Sequence, residues 1–369
     1  MGKELKKKIV ISAVNFTEGG PLTILNSCLS YLSKDLSSEY EVVALVNSKK
    51  MFDMPNIEYI EFPLSKRSWL FRLYYEYYYF KKLSDKLKPH LWLSLHDMTP
   101  NVTADIRAVY CHNPSPFYTL TLKELILEPK FALFNMFYKF LYSINIKKNS
   151  FVVVQQNWLR ESFERIFGVK NVIVAYASDP TEPKSVPSIG KEKGTFKFIY
   201  PAFPRVFKNV ELACEAFKLL EENGITTCKL YLTIDGTENR YSRYIHRKYS
   251  KLTNIIFLGN LKKEELYKFY GESDCLIFPS KLETWGLPIS EFKMFNKPIL
   301  AANLPYARET VGNYDKVKFF SPNDPKELFE DIMGFSNGVK IFGKNTMPFP
   351  AQPFSRDWRE LFGIMLRER

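Results

Sequence analysis

Two glutamates eight positions apart are candidates for a ligand-binding site. Glu283 and Glu291 follow a short apolar run that ends at Phe278, and a glycine lies between them. This order predicts a strand, a loop and the first turns of a helix, with both carboxylates and the free helix amides near the strand end. The amides could face an anion, and a nucleotide phosphate would fit there. Alternatively, both glutamates are solvated side chains around an ordinary turn. The amides concerned are those of Trp285, Gly286 and Leu287.

A second group of candidate residues is basic and follows another predicted strand. Arg205 and Lys208 lie between the apolar run Lys197–Tyr200 and a helical pattern over Val210–Leu220. A Gly19-Gly20 pair occupies the equivalent place near the start of the chain, where glycine allows backbone amides to approach a ligand closely. Taken alone, a glycine pair of this kind is usually only a turn, and Arg205 could be an exposed turn residue.

Strands and helices alternate along both halves of the chain, which predicts an α/β fold. The alternation is interrupted by an aperiodic, proline-containing stretch, which we interpret as a linker at 179–194. We therefore expect two Rossmann-like domains facing each other across a cleft, an N-terminal domain at 1–178 and a C-terminal one at 195–353. Residues 354–369 have helical spacing and are expected to return to the first domain.

The composition excludes several classes of protein. The 369 residues are 46% hydrophobic and 25% charged, as in a folded protein, and the net charge of +12 favours an anionic partner or surface. The five cysteines are far apart and indicate neither a zinc site nor a disulfide framework, so we expect a reducing cytoplasm and no metal. The N-terminus imitates a signal peptide, but its apolar run is short and is interpreted as a buried strand.

Several ordered motifs resemble the retaining glycosyltransferases of GT-B fold, in particular glycosyltransferase family 4, also called family 1 in domain nomenclature. The family has an E-x7-E motif that is commonly preceded by F-P-S. The resemblance spans nearly the whole chain, although the first glycine of the family's E-G-F-G-L-P is missing here. The matching segments are Phe278-Pro-Ser280, Glu283-Thr-Trp-Gly-Leu-Pro288, Ile255-Ile-Phe-Leu-Gly-Asn260, Ser273-Asp-Cys-Leu-Ile-Phe278 and Asn296-Lys-Pro-Ile-Leu-Ala301.

The resemblance implies a role for each candidate residue. Glu291 would hold the ribose hydroxyls of a UDP- or GDP-linked sugar donor, and Glu283 a hydroxyl of the transferred sugar. Lys208 and Arg205 would neutralise the charge that develops on the departing diphosphate. The spacing of Arg205 departs from the family pattern, in which the arginine often lies five or six positions before the lysine. The glycine loop would approach the donor phosphate or the acceptor, and no prosthetic group is implied.

Two histidines follow short predicted strands in the first domain. His112, within Tyr110-Cys-His-Asn-Pro114, matches the position of a family histidine near the reacting sugar, and is expected to hydrogen-bond a sugar hydroxyl or nearby backbone. His96 is equally compatible with a site residue and with a polar residue where a loop begins, because strand ends are where both occur.

Aromatic and basic residues are interleaved from Lys66 to Lys88. A helix with this pattern could lie in the headgroup layer of an anionic membrane, or it could simply pack on the core with its lysines solvated. The segment Phe131–Lys148 could add apolar contact with the membrane. No nucleic-acid-binding module is recognisable, so nucleic acid is not the expected partner.

The sequence as a whole predicts a hexosyltransferase-type enzyme on the cytoplasmic face of the cell membrane. Its resemblance implies transfer of a sugar to a lipid-linked or oligosaccharide acceptor in bacterial surface polysaccharide synthesis, such as O-antigen or capsule. Two alternatives remain open at this point. One is a GT-B epimerase acting on sugar nucleotides, and the other is a catalytically silent GT-B subunit that binds a partner or the membrane.

Overall fold

The chain forms two compact α/β units, each with its own parallel sheet. A computed structural model describes residues 6–176 and 194–367. The first unit comprises Met1–Phe117, Asn135–Ser178 and Pro350–Arg369, and the second comprises Tyr118–Phe134 and Asp179–Phe349. The predicted linker at 179–194 lies outside the described residues except for Gly194.

The elements alternate as the sequence pattern predicts. The strands are β1 Lys7–Ala13, β2 Tyr40–Val46, β3 Ile57–Glu61, β4 Leu91–Ser94, β5 Ile106–Cys111, β6 Phe151–Val154, β7 Val172–Ala175, β8 Phe196–Tyr200, β9 Cys228–Leu232, β10 Ile255–Phe257, β11 Cys275–Phe278, β12 Ile299–Ala302, β13 Val317–Phe320 and β14 Phe354–Ser355. The α-helices are α1 Gly19–Tyr31, α2 Trp69–Tyr74, α3 Phe80–Leu87, α4 Leu122–Leu127, α5 Pro129–Ser143, α6 Asn157–Phe167, α7 Val210–Glu222, α8 Arg240–Tyr249, α9 Lys263–Glu272, α10 Leu287–Lys293, α11 Pro305–Val311, α12 Pro325–Ser336 and α13 Trp358–Leu366.

The first sheet has eight strands in the order β14-β7-β6-β5-β4-β1-β2-β3. Its central strands are apolar on both faces, because helices cover both sides of a parallel sheet. Ile9 and Ile11 of β1 belong to one core and Val10 to another, and all three are fully buried. The strand order reverses between β1 and β4, so their carboxyl ends flank a crevice of the kind that binds ligands in such sheets.

Helix α13 packs against the first unit, beside α1. Leu361, Phe362 and Met365 lie in the same buried cluster as Leu25 and Leu29 of α1. The helix begins later than the sequence pattern suggested, because Asp357 caps it by accepting a hydrogen bond from the Glu360 amide at 2.9 Å.

The helix considered for the Lys66 to Lys88 segment is not α-helical throughout. It consists of α2, a π-helical turn at Tyr75–Tyr79, and α3. A π-helical turn widens the helix locally, and such turns are frequent at functional sites. The buried side chain of Glu76 lies in this turn.

The second sheet has six parallel strands in the order β10-β9-β8-β11-β12-β13. Its strand order reverses between β8 and β11, whose residues Ile199 and Leu276 are paired in register. The loops that follow these two strands therefore leave the sheet side by side at its carboxyl edge.

The segment Tyr118–Phe134 packs with the second unit although it precedes the predicted boundary at 178. Its side chains explain this assignment, because Phe131 packs against the Phe207 ring with centroids 5.2 Å apart, and Glu128 pairs with Arg205. Lys123 also pairs with Glu211 of α7. These contacts join residues some 75 to 90 positions apart, which helical and strand periodicity does not reveal.

Candidate active site

Lys208 and Glu283 meet at the point where the strand order of the second sheet reverses. Lys208 ends a short 3-10 turn after β8, and Glu283 lies in the loop after β11. The Lys208 Nζ lies 2.5 Å from Oε1 of Glu283, and the two side chains are only 19% and 13% exposed. A lysine and a carboxylate here can engage a phosphate and a hydroxyl respectively, while neutralising each other when no ligand is present.

Backbone and side-chain hydrogen bonds hold these two loops together. The Lys281 amide donates to the Phe207 carbonyl at 2.7 Å, and the Tyr200 hydroxyl donates to the Lys208 carbonyl at 2.6 Å. Asn209 adopts a left-handed conformation with φ of 56°, and its Nδ2 donates to the Pro279 and Pro322 carbonyls at 3.1 and 2.8 Å. The position of Lys208 is thereby set by contacts with the loop that carries Glu283.

Arg205 pairs with a carboxylate of the Tyr118–Phe134 segment. Its Nε lies 3.0 Å from Oε2 of Glu128, and its guanidinium carbon lies 5.1 Å from the centre of the Phe131 ring. Burial raises the pKa of Glu128, and the Arg205 charge opposes that shift. The role of Arg205 on a diphosphate stays a prediction, and it would require the guanidinium to reach a phosphate beyond this pair.

Glu291 lies in α10 and has a tyrosine partner. The Tyr270 hydroxyl donates to Oε2 of Glu291 at 3.1 Å. Burial raises the pKa of Glu291, while the Tyr270 hydrogen bond and the Lys263 charge oppose the shift. The contact of Glu291 with a ribose stays a prediction.

The turn before α10 depends on a glycine. Gly286 has φ of +88°, and a Cβ at this position would lie 3.4 Å from the Phe278 ring. The Trp285 side chain is buried and its Nε1 donates to the Ser290 hydroxyl at 3.0 Å, so it braces the turn from inside. Thr310 also donates its hydroxyl to the Trp285 carbonyl. Because the Trp285 side chain is buried, its predicted contact with a ligand would come from its backbone amide. The side chain of Leu287 is exposed.

His112 follows β5 in the first unit. Its backbone amide donates to Oδ1 of Asp97 at 2.5 Å, and its ring packs against Tyr110 with centroids 4.2 Å apart. Among the described residues, neither ring nitrogen meets a partner at hydrogen-bonding geometry, although both are shielded from solvent. Burial lowers the pKa of His112, and the Asp97 carboxylate and Leu95 carbonyl oppose the shift. A neutral imidazole can donate from one ring nitrogen and accept at the other, so it is suited to hydrogen-bond a sugar hydroxyl.

His96 is fully buried, and it contacts charged residues that the sequence did not indicate as site residues. Its Nε2 lies 3.0 Å from the Ser12 hydroxyl and 3.3 Å from Oε1 of Glu76. Arg72 donates from Nη2 to the His96 carbonyl at 3.1 Å. Arg72 and Glu76 lie in the segment for which a membrane-facing helix was one of two interpretations. The sequence signal that could have indicated them is their i, i+4 spacing, which suits an ion pair on a helix.

The glycine pair lies at the start of α1. Gly19 has φ of +68°, and a Cβ added at Gly20 would meet no atom within 4 Å. The open space beside Gly20 leaves its backbone accessible, and the conformation of Gly19 is one that favours glycine. Their contact with a donor or an acceptor stays a prediction.

The structure also bears on metals, membranes and cysteines. In residues 6–176 and 194–367, no three His, Cys, Asp or Glu side chains are grouped so that they could hold a metal ion. No helix in these ranges has the length and apolar character needed to cross a membrane. The five cysteines are buried free thiols.

Comparisons with known proteins show which family and which solved structures this chain is similar to. Residues 182–339 match the family model described as glycosyl transferases group 1. The solved structure of the lipopolysaccharide outer core galactosyltransferase WaaB, in its apo form, superposes with a TM-score of 0.60 over 90% of each chain at 13% identity. The structure of HepE (Alr3699) from Anabaena, in complex with UDP and glucose, superposes with a TM-score of 0.59 over 90% of each chain at 15% identity.

One curated protein is related in sequence over part of the chain. It is described as an uncharacterized 41.2 kDa protein in the cps region of Klebsiella pneumoniae, and it is 22% identical over 192 residues. The match covers 44% of this chain and 52% of that protein, so the chain spans about half the length of the curated relative it matches.

Residues 182–339 thus match the glycosyl transferases group 1 model, and the chain has the fold of these glycosyltransferase structures. The fold class predicted from the sequence is thereby confirmed, and the family match agrees with the predicted resemblance.

Proposed function

We propose that this protein is a retaining glycosyltransferase that moves a sugar from a UDP- or GDP-linked donor to a hydroxyl of a lipid-linked glycan. The Lys208–Glu283 pair at the strand-order reversal carries the proposal, since it joins a cation for the diphosphate to a carboxylate for the sugar. HepE, a structural neighbour, was solved with UDP and glucose, which supports a nucleotide-sugar donor. The cps-region relative and WaaB support a setting in bacterial surface polysaccharide synthesis.

The proposed reaction is a displacement on one face of the sugar. The bond between the anomeric carbon and the diphosphate oxygen breaks, and the acceptor oxygen forms a new bond from the same side. The acceptor proton passes to the departing diphosphate. Lys208 stabilises the charge on that group. Glu283 accepts hydrogen bonds from sugar hydroxyls, and His112 forms a hydrogen bond with a sugar hydroxyl. Glu291 accepts hydrogen bonds from the ribose hydroxyls.

The donor site is tested by thermal stabilisation of the purified chain with UDP, GDP and their common sugar conjugates. We expect one base to stabilise the chain selectively, and Lys208→Ala and Glu291→Ala each to abolish the effect. Lys248→Ala is the matched control, because Lys248 forms a 2.7 Å pair with Glu215 elsewhere in the second unit. If no nucleotide stabilises the chain while authentic transferases respond, the proposal fails and a silent binding subunit is favoured.

Addition of an acceptor separates transfer from epimerisation. A transferase releases free nucleoside diphosphate in proportion to glycosylated acceptor, whereas an epimerase converts the donor without releasing it. The stereochemistry of the product, read by the proton coupling at the anomeric carbon, tests retention. An inverted product would contradict the proposed same-face displacement.

We place the enzyme on the inner face of the cell membrane, with an apolar and basic surface of the first unit against anionic lipid. We call this surface the α2/α5 surface. Its two helices pack together through Trp69 and Phe137, whose rings lie 5.2 Å apart in an edge-to-face arrangement. Aromatic residues beside lysines suit the interface between headgroups and acyl chains. Its exposed residues include Trp69, Leu70, Tyr74, Tyr78, Met136 and Phe140, with Lys66, Arg67, Lys82 and Lys139 nearby.

Sedimentation with lipid vesicles tests this surface. Leu70, 79% exposed, is the substitution site, and Val339, 58% exposed in the second unit, is the control. We expect the wild type and Val339→Asp to bind vesicles containing phosphatidylglycerol, and Leu70→Asp to bind several-fold more weakly. Equal binding by Leu70→Asp, or equal binding to neutral phosphatidylcholine vesicles, would contradict the assignment of this surface to anionic lipid.

A further inference from the structure

Four polar side chains are buried together where the strand order of the first sheet reverses. Ser12 lies in β1, His96 follows β4, and Arg72 and Glu76 come from α2 and its π-helical turn. Oε1 of Glu76 lies 3.3 Å from Nε2 of His96 and 3.5 Å from Nε of Arg72. Glu76 and His96 are almost completely inaccessible to solvent, and Arg72 is 5% exposed.

Burial of these groups is unfavourable unless their charges and protons are matched. Burial raises the pKa of Glu76 to about 8, with the Arg72 charge opposing the shift. Burial, assisted by Arg72, holds the pKa of His96 well below its usual range. The Arg72 charge favours the ionised form of Glu76, so the two groups act as a pair. Buried ion pairs are poor sources of stability, since apolar residues of similar size often stabilise a fold as well or better.

The cluster holds the peptide that leads to Asp97. His96 is fixed at its ring by Ser12 and Glu76, and at its carbonyl by Arg72. The next residue, Asp97, has φ of 70°, a left-handed conformation that costs energy for a residue other than glycine. Such a conformation persists only where surrounding contacts hold it in place.

Asp97 in turn holds the loop that carries His112. Its Oδ1 accepts hydrogen bonds from the amides of His112 at 2.5 Å and Asn113 at 3.1 Å. The Tyr142 hydroxyl of α5 donates to the same oxygen at 2.9 Å. The direction of the Asp97 carboxylate therefore sets the position of the His112 backbone.

We propose that Arg72 and Glu76 are positioning residues for His112, acting through His96 and Asp97. The inference rests on the proposed function only for the role of His112 in sugar transfer. Both residues are buried, so they act without touching the substrate. They fix the backbone torsions of His96, and these torsions set the direction of the Asp97 side chain. The Asp97 carboxylate in turn sets the position of the His112 backbone. A misplacement of about 1 Å at a catalytic centre can reduce the rate about a hundredfold.

The double variant Arg72→Met/Glu76→Met tests this inference because it removes both buried charges together. We expect it to fold with a thermal midpoint close to the wild type, since no unpaired charge is left behind. With UDP-glucose as probe donor, its kcat for transfer or donor hydrolysis should fall at least tenfold, while its affinity for UDP stays unchanged. Arg356→Met/Glu360→Met removes an exposed pair at the same spacing in the same unit, and should leave kcat unchanged.

Histidine ring resonances give a second readout that needs no donor. The chain has four histidines, so isotopic labelling of histidine gives four ring systems to assign. The double variant should shift the signals of His96 and His112 and leave those of His90 and His246 in place. Glu76→Gln keeps the size of the side chain and a polar group beside His96, and should retain the wild-type signals and most of kcat.

These outcomes separate the inference from the proposed function. A wild type that neither binds nor hydrolyses nucleotide sugars would overturn the proposed function, while the His112 signal would still report on positioning. An unshifted His112 signal in a folded double variant would overturn the inference. So would a kcat equal to that of the wild type.

Discussion

Replacement of Glu283 by glutamine should strengthen the binding of a nucleoside diphosphate that lacks a sugar. In the structure without ligand, the Glu283 carboxylate neutralises Lys208 at 2.5 Å. A diphosphate must compete with this carboxylate for the lysine. Glu283→Gln removes the competing charge but keeps the size of the side chain and its hydrogen-bonding capacity.

The size of the effect follows from the geometry of the pair. Two unit charges about 4 Å apart interact by about 4 kcal/mol at an effective dielectric constant of about 20. The side chains are 19% and 13% exposed, so water screens part of this interaction. We take about 1–2 kcal/mol as the competing free energy, which corresponds to roughly tenfold in the dissociation constant.

Isothermal titration calorimetry with UDP and GDP measures this change. Glu283→Gln should bind the preferred diphosphate roughly tenfold more tightly, yet transfer sugar poorly because a contact with the sugar hydroxyl is weakened. Glu215→Gln is a matched control, since Glu215 pairs with Lys248 at 2.7 Å away from the proposed donor site. The reasoning is refuted if Glu283→Gln weakens diphosphate binding as much as Lys208→Ala does.

Three further outcomes follow from the second unit. Asn209→Ala should lower the free energy of unfolding by about 3 kcal/mol in urea titrations, because it loses two buried hydrogen bonds and forces alanine into a left-handed conformation. Gly286→Ala should cost about 1–2 kcal/mol and weaken donor binding, since φ of +88° strains any side chain; an unchanged melting temperature would contradict this. For Glu211, burial raises the pKa, but hydrogen bonds from Lys123, Tyr244 and Lys248 outweigh burial and lower the pKa to about 2. Its folded pKa is below its unfolded one, so its stabilisation is complete above pH about 4.5 and is lost as the pH falls toward 2; the stability difference between wild type and Glu211→Gln should shrink over that window.

Much of the fold could be predicted because short apolar runs and turn residues indicate individual strands, loops and helices. The runs Val42–Val46 and Phe151–Val154 are continuous and apolar, as parallel strands buried on both faces must be, and both form strands in the first sheet. The loop around Gly286 was predicted for the same reason, since a strand, a glycine and a helix follow one another within a few residues. These features depend on neighbours in the sequence.

The partners of the charged residues could not be predicted in this way. Lys208 and Glu283 were separate candidates, and only the adjacency of β8 and β11 brings their side chains together across 75 positions. The role of Arg205 on a diphosphate stays a prediction, and its partner in the structure, Glu128, lies 77 positions away. Each of these charged residues has dozens of oppositely charged residues in the sequence as possible partners. The folded structure determines which partner it meets, and sequence spacing does not predict it.

The amino-acid sequence by itself determined the α/β alternation, the family motifs and the set of candidate residues proposed to bind a nucleotide sugar. Hydrophobic periodicity and turn-forming residues act over a few neighbouring positions, so they can be recognised in the sequence alone. Tertiary structure alone decided that Glu76, within an aromatic stretch suited to a membrane surface, faces inward to His96 at 3.3 Å. Its direction depends on a π-helical turn and on a sheet assembled from distant strands, and therefore on energies that exist only once the chain has folded.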